Sequence, residues 1–220
     1  MKRTIAIAVL AAGSAWTAGA ADAQLSISGS IGTTGGTVEA KVKVTPIIAI
    51  RGGYNYFQYE ADDTYDDIAY RGDLDLSTAG AFVDVHPFGN AFMLTGGAYL
   101  GEKTLNLFAA PTTNVEIGNQ TFTPAQVGTL NMQGDLEDTA PFVGLGWDSS
   151  FDTARGFSFR FIAGAMLTGS PQIDLTSTGG TLSNDANFQT QLANEEQNLQ
   201  DDIDDYEIYP VVQVGVNWTF

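Results

Sequence analysis

Six charged residues fall where strand alternation turns them away from an apolar face: Glu39, Lys41 and Lys43 between Val38, Ala40, Val42 and Val44; Arg51 beside Ile50; Asp84 between Val83 and Val85; and Arg160 between Phe159 and Phe161. Successive strand side chains point to opposite faces. If the apolar face meets lipid, the charged one must face an interior, because a charge against lipid is costly. In a narrow interior isolated charges are expensive, so these groups must pair or hold water. Two chemistries follow: a fully paired set is a salt-bridge plug, and a partly paired set is a polar ladder that could pass or bind a small zwitterion.

A second constellation is acidic. Glu60, Asp62, Asp63, Asp66, Asp67, Asp73 and Asp75 cluster on one expected hairpin, Asp135, Glu137 and Asp138 on another, and Glu195, Glu196, Asp201, Asp202, Asp204, Asp205 and Glu207 by the last loop. Such loop tips are solvated surface, or carboxylates bridged through divalent cations to lipopolysaccharide, or a ring around a barrel mouth that concentrates basic solutes. Asp201 to Asp205 lacks the glycine and ligand spacing of an EF-hand loop, so no dedicated metal site is expected. The formal charge of −17 argues against nucleic acid as a partner.

Catalysis finds little support. His86 is the sole histidine and there is no cysteine, so neither a Ser-His-acid triad at the outer rim nor a histidine-rich metal site can be assembled, and no cofactor is implied. His86 reads as a turn or lumen residue beside Pro87-Phe88-Gly89.

The elements that must position these groups are strands. Leu25–Ile31 is an expected first strand, Gly32–Gly36 a tight connection, and Thr45-Pro46 a turn, since proline cannot donate into a ladder. The third strand spans about Ile47 to Tyr59, followed by an acidic loop from Glu60 to Asp67. Ala69 to Val85 returns; Leu74 and Leu76 share one parity and Ala79, Ala81, Val83 and Val85 the other, which predicts a bulge near Thr78. Phe92 to Leu100 is the next strand, Asn106 to Leu130 a long loop with a hairpin at Val115–Thr123, and Pro141 to Trp147 a descending strand. Asp148 to Gly156 is a turn, Phe157 to Leu167 ascends, and Gly169 to Leu175 continues beyond the membrane. Phe188, Leu192, Leu199 and Ile203 recur at near-helical spacing, which predicts an amphipathic helix within Ser183–Asp205 capped by Ser183 or Asn184.

The two ends identify the solvent. Tyr209–Phe220 alternates to a terminal aromatic; Trp218 and Phe220 form an expected assembly signal read by the outer-membrane barrel-assembly machinery. Lys2 and Arg3 precede the apolar run Ile5–Ala12, and Ala21-Asp22-Ala23 supplies a cleavage site. Residues 1–23 are therefore expected to be a signal peptide, with residues 24–220 a single domain. Glycine at 25 residues and aromatics at 11% suit a barrel, where glycine relieves crowding and aromatics form girdles. The expected fold is all-β: an eight-stranded antiparallel transmembrane up-and-down β-barrel, monomeric, in the outer membrane of a Gram-negative cell, with a short helix in the last extracellular loop. An eight-strand cylinder is just wide enough to be filled by its own side chains.

The ordered segments Gly32-Thr-Thr-Gly35, Leu74–Leu76 leading to Asp84–Gly89, Thr95–Leu100, Ala140–Gly146, Gly169–Thr176 and Glu195-Glu196 leading to Tyr209–Asn217 resemble the carbapenem-associated outer-membrane proteins, also called ornithine-uptake porins (CarO). The resemblance implies an eight-stranded outer-membrane barrel admitting small basic amino acids, and it carries over no substrate residue. The expected function is a narrow passive channel for small, preferably cationic solutes. The competing expectation is a non-transporting structural or surface-interaction barrel of the OmpA and OmpX type with a charge-paired, closed lumen.

Overall fold

The computed structural model describes residues 24–65 and 68–220; the expected leader and Asp66–Asp67 lie outside the described residues. Five strands follow one another as antiparallel neighbours: β1 (Leu25–Gly32), β2 (Gly35–Thr45), β3 (Ile48–Tyr65), β4 (Ile68–Val85) and β5 (Phe92–Pro111). Then come β6 (Val115–Ile117), β7 (Gln120–Phe122), α1 (Pro124–Val127), β8 (Gly128–Asp135), β9 (Thr139–Asp148), β10 (Gly156–Leu167), β11 (Gln172–Gly179), α2 (Ala186–Ile203) and β12 (Ile208–Thr219). β5 pairs with β9 through Phe92–Leu100, β9 with β10, β10 with β12, and β12 with β1. Eight strands thereby close into an antiparallel barrel with no free edge.

The outer surface explains the alternation. Ile50, Val83, Leu94, Val143, Leu145, Phe159, Phe161, Val212, Val214 and Val216 are exposed, while their strand neighbours point into the barrel. Phe88, Trp147, Phe157 and Trp218 mark the end carrying both termini, and Tyr54, Tyr56 and Tyr59 the distal end, which gives the two aromatic girdles of a transmembrane barrel. The terminal end closes with short turns, one of them a 3-10 turn at Ser149–Phe151.

β3, β4 and β5 are 18, 18 and 20 residues long, nearly twice the 9–11 or so that span a bilayer. Their distal halves project and carry a second body. At Gly101, φ is +126° and an added Cβ would lie 2.4 Å from the Ser77 carbonyl oxygen; the bend available only to glycine lets β5 leave β9 here. From Thr104 to Ala109 it pairs instead with β8, and β8 pairs with β11. The β6–β7 hairpin, α1 and α2 cover this extension around Ile117, Phe122, Val127, Phe188 and Leu192. The result is a distal headpiece with its own core.

Several expectations are corrected. There is no bulge at Thr78: β3 and β4 pair without a register shift from Ile48↔Val85 to Tyr65↔Ile68, and Leu76 points inward near the distal end of the lumen. The only shift in the β2–β3 ladder lies between Lys43 and Thr45. Glu60–Tyr65 is strand rather than loop, and most of the expected Asn106–Leu130 loop is β5, the hairpin, α1 and β8. Residues 172–179 form a separate strand rather than an extension of β10. The helix forms as expected but is capped by Asp185, whose Oδ1 accepts from Asn187 N and Phe188 N at 3.0 and 3.1 Å.

Candidate functional site

The lumen is filled in layers. At the terminal end the 3-10 turn folds Phe151 inward, where it stacks on His86 with ring centroids 3.6 Å apart. Lys43 lies over the same ring at 3.9 Å and donates to the Phe151 carbonyl at 3.0 Å. His86 Nδ1 pairs with the Asn90 carbonyl at 2.8 Å. Burial, followed by the nearby Lys41 cation, holds the imidazole below its usual range against the opposing effect of that bond. The ring is a packed wedge.

Ion pairs occupy the middle. Arg51 donates from Nε and Nη2 to the two oxygens of Asp84 at 3.0 and 3.2 Å, and from Nη2 to Thr95 Oγ1 at 3.1 Å. Its Nη1 also reaches Glu39, whose second oxygen is taken by Arg160. Lys41 donates to Asp148 at 2.6 Å and to Ser150 Oγ at 2.5 Å. All six ionic groups are buried, and three cations meet three acids, so the layer carries no net charge.

Apolar side chains close the distal half. Phe82, Met93, Tyr99, Phe142, Ile162, Met166 and Val211 form one buried cluster inside the barrel. Phe82, Tyr99 and Phe142 meet edge to face at centroid distances of 4.9 to 5.6 Å, and the Arg51 guanidinium lies 4.2 Å from the Phe82 ring. Inward glycines make room for them: a Cβ at Gly80 or Gly97 would collide with the Phe82 ring, and one at Gly144 or Gly164 with Phe142. Above this layer Lys103 donates to the carbonyls of Gly101 and Asp138 at 2.8 and 3.2 Å.

Five of the six expected lumen residues are brought together. Lys43 is the exception: its described partner is a carbonyl and a ring, because the inward turn of Phe151 separates it from the acids. Asp148, expected in a turn, is the acid that completes the set. Its signal was the parity Phe142, Gly144, Gly146, Asp148 opposite Val143, Leu145 and Trp147. The aromatic cluster was missed because apolar residues at lumen positions look unremarkable.

The expected acidic mouth is dispersed. Glu60 and Asp62 flank Arg71 with Asp73 on the projecting β3–β4 hairpin, at 3.8 to 3.9 Å; Asp63 pairs with Tyr70 in the same ladder. Asp135, at the end of β8, accepts from Thr104 and Gln133 at 2.7 and 2.8 Å. Glu137 and Asp138 lie exposed in the link to β9, Asp201 and Asp202 end α2, and Asp204 and Asp205 follow it. The described acids are carried on separate parts of the headpiece.

The headpiece holds a cavity of about 440 Å³ instead. Leu107, Met132 and Leu175 are cross-strand partners on the sheet; with Leu130 they floor the cavity, and Val115, Ile117, Glu195 and Leu199 form its cover.

No family model matches the chain, and no curated protein sequence matches it. Solved structures do match it, among them two from one organism. A crystal structure of Acinetobacter baumannii CarO2 is 23% identical with a TM-score of 0.61, covering 90% of this chain and 99% of that one. A crystal structure of Acinetobacter baumannii CarO is 22% identical with a TM-score of 0.59, covering 89% and 97%. The protein is a CarO-like eight-stranded barrel in fold, as the ordered segments of its sequence implied.

Proposed function

We propose that this outer-membrane-type barrel works through its extracellular headpiece, with a closed lumen serving as anchor and support. One observation carries the reading: the lumen holds in succession Phe151 and His86, the neutral ion-pair layer and the Phe82–Tyr99–Phe142 cluster, beside a buried hydrogen-bonded set of Thr37, Asn55, Thr78 and Gln213. A cationic solute crossing it would have to break buried ion pairs and then enter a dry aromatic layer, each step costing several kcal/mol. The balanced ion-pair layer, with Lys43 and Lys103 bonded to carbonyls on either side of it, also gives the interior no electrostatic preference for cations. The headpiece, by contrast, uses about half of β3, β4 and β5 together with β6 to β8, β11 and both helices. Such an investment in ordered chain suits a surface that meets lipopolysaccharide or soluble partners on the cell exterior.

Passive uptake of basic amino acids is the second reading, favoured by the acids around Arg71, where an exposed cation already sits among three carboxylates. The two readings differ in planar bilayers and in liposomes. The purified barrel should add no conductance and no permeability to lysine, ornithine or small neutral solutes over protein-free controls. Reproducible single-channel steps, or uptake of a basic amino acid above the control, would replace the closed-barrel reading by the channel.

A further inference from the structure

We infer that the headpiece cavity is a binding site for a small amphipathic organic cation, an amine with an apolar body. The inference rests on the reading that the headpiece is the working part of the molecule and names its ligand class. At about 440 Å³ the cavity falls within the range of small-molecule sites, roughly 300–1,000 Å³. Its origin lies in how α2 docks. Phe188 and Leu192 at the start of the helix fill the space against Phe122 and Val127, with the Phe122 and Phe188 rings 4.9 Å apart. One and two turns later the helix presents Glu195 and Leu199, and the apolar floor beneath them is left uncovered.

The helix cannot settle further onto that floor, because its polar side chains are engaged at both edges of the cavity. Glu195 Oε2 accepts from Gly118 N at 2.9 Å and Gln191 Oε1 from Asn119 N at 3.0 Å, which ties α2 to the hairpin. Glu196 Oε2 accepts from Leu175 N at 2.9 Å and Gln200 Oε1 from Ile173 N at 3.0 Å, which ties it to β11. The cavity is thus held open by directional bonds, a preformed site rather than a packing fault.

Its chemistry selects the ligand. The lining is leucine, isoleucine, valine, methionine, alanine and proline, except for two acidic residues, Glu195 on α2 and Glu116, which is exposed on β6. Among the described residues no basic side chain lines it. An anion or a fatty acid would meet two like charges, and a free basic amino acid would leave the apolar floor wet and bring its own carboxylate. An alkyl or aryl amine matches both features, its body on Leu107, Met132 and Leu175 and its ammonium at Glu116 and Glu195.

Calorimetric titration of the full barrel in nanodiscs with hexylamine, hexanol, hexanoate and ornithine tests this. Hexylamine should bind saturably, hexanol several-fold more weakly, and hexanoate and ornithine not measurably. Glu116→Gln with Glu195→Gln keeps an acceptor for Gly118 and should bring hexylamine down to the hexanol level; Met132→Trp fills the floor and should abolish binding of both. Hexylamine and hexanol binding equally, ornithine binding as tightly as hexylamine, saturable binding that ignores both variants, or no saturable binding would each overturn the assignment. Conductance is read without amine, so a silent barrel that ignores hexylamine sinks the ligand alone, and a conducting one sinks the closed-barrel reading whatever it binds.

Discussion

Glu39 is the residue on which the lumen turns, since its two oxygens face Arg51 and Arg160 and no other described acid touches both. Arg51 keeps Asp84 if Glu39 is lost, but Arg160 keeps only Ser30 Oγ, at 2.8 Å. Removing one member of a buried ionic set leaves an uncompensated charge and costs about 3–5 kcal/mol. Glu39→Gln should therefore lower the unfolding free energy measured in urea by an amount of that order, and so its midpoint, and adding Arg160→Met should recover much of the loss. An unchanged midpoint in the single variant would show that water, rather than Glu39, balances the two guanidinium groups. Much of this was legible in the sequence: alternation alone sent Glu39, Lys41, Arg51, Asp84 and Arg160 to the interior. Which acid meets which base was not, because partners such as Lys41 and Asp148 stand 107 residues apart in the chain and meet only after the barrel closes.

Strand alternation determines most of the elements, and its limits are instructive. The closing strand was readable because one face is uniformly apolar: Val214 is 50% exposed and Gln213 is 1% exposed. In β4 the alternation also held, yet Leu74 and Leu76 on the inner parity suggested a bulge; the inner Leu76 is tolerated because it lines the distal end of the lumen together with Leu136, Met166 and Tyr209. The projecting halves of β3, β4 and β5 were read as loops because acids and polar residues end the lipid-facing pattern while the ladder itself continues. Helix α2 was legible by its period, but its role was not. Its Glu196 and Gln200 side chains satisfy the N–H groups of β11, an edge that would otherwise invite pairing with another chain. The lipid-facing register is tested by Val214→Arg, which puts a cation on the outer surface and should cost about 2–4 kcal/mol near the midplane. Val214→Leu should be tolerated, and equal yields of folded barrel for the two variants would reject the register. Gln213 is a poor comparator, because its Nε2 is packed 2.7 Å from Thr34 Oγ1.

At the scale of the whole molecule, the work is divided, in the proposed reading, between a barrel that stays shut and a headpiece surface that carries the charge. The proposed shutter is the aromatic layer, where three buried rings meet edge to face above the ion pairs. Phe82→Ser combined with Phe142→Ser removes two of its three rings while leaving the β4 and β9 ladders intact. Phenylalanine truncations of this kind cost about 3–5 kcal/mol each, so heat-modifiable migration must first establish that the variant is folded. The folded variant should admit water past Arg51 and show small conductance steps where the wild-type barrel is silent. Its distal entrance would then lie beneath Glu60, Asp62 and Asp73, whose carboxylates exceed the single Arg71 cation among them, so the current should favour cations over anions. That preference should weaken as ionic strength rises and the screening length falls from about 10 Å at 0.1 M toward 3 Å at 1 M. A silent double variant that is demonstrably folded would move the closure to the ion-pair layer and the Phe151 wedge. Steps of equal size in both proteins would mean that the aromatic cluster closes nothing.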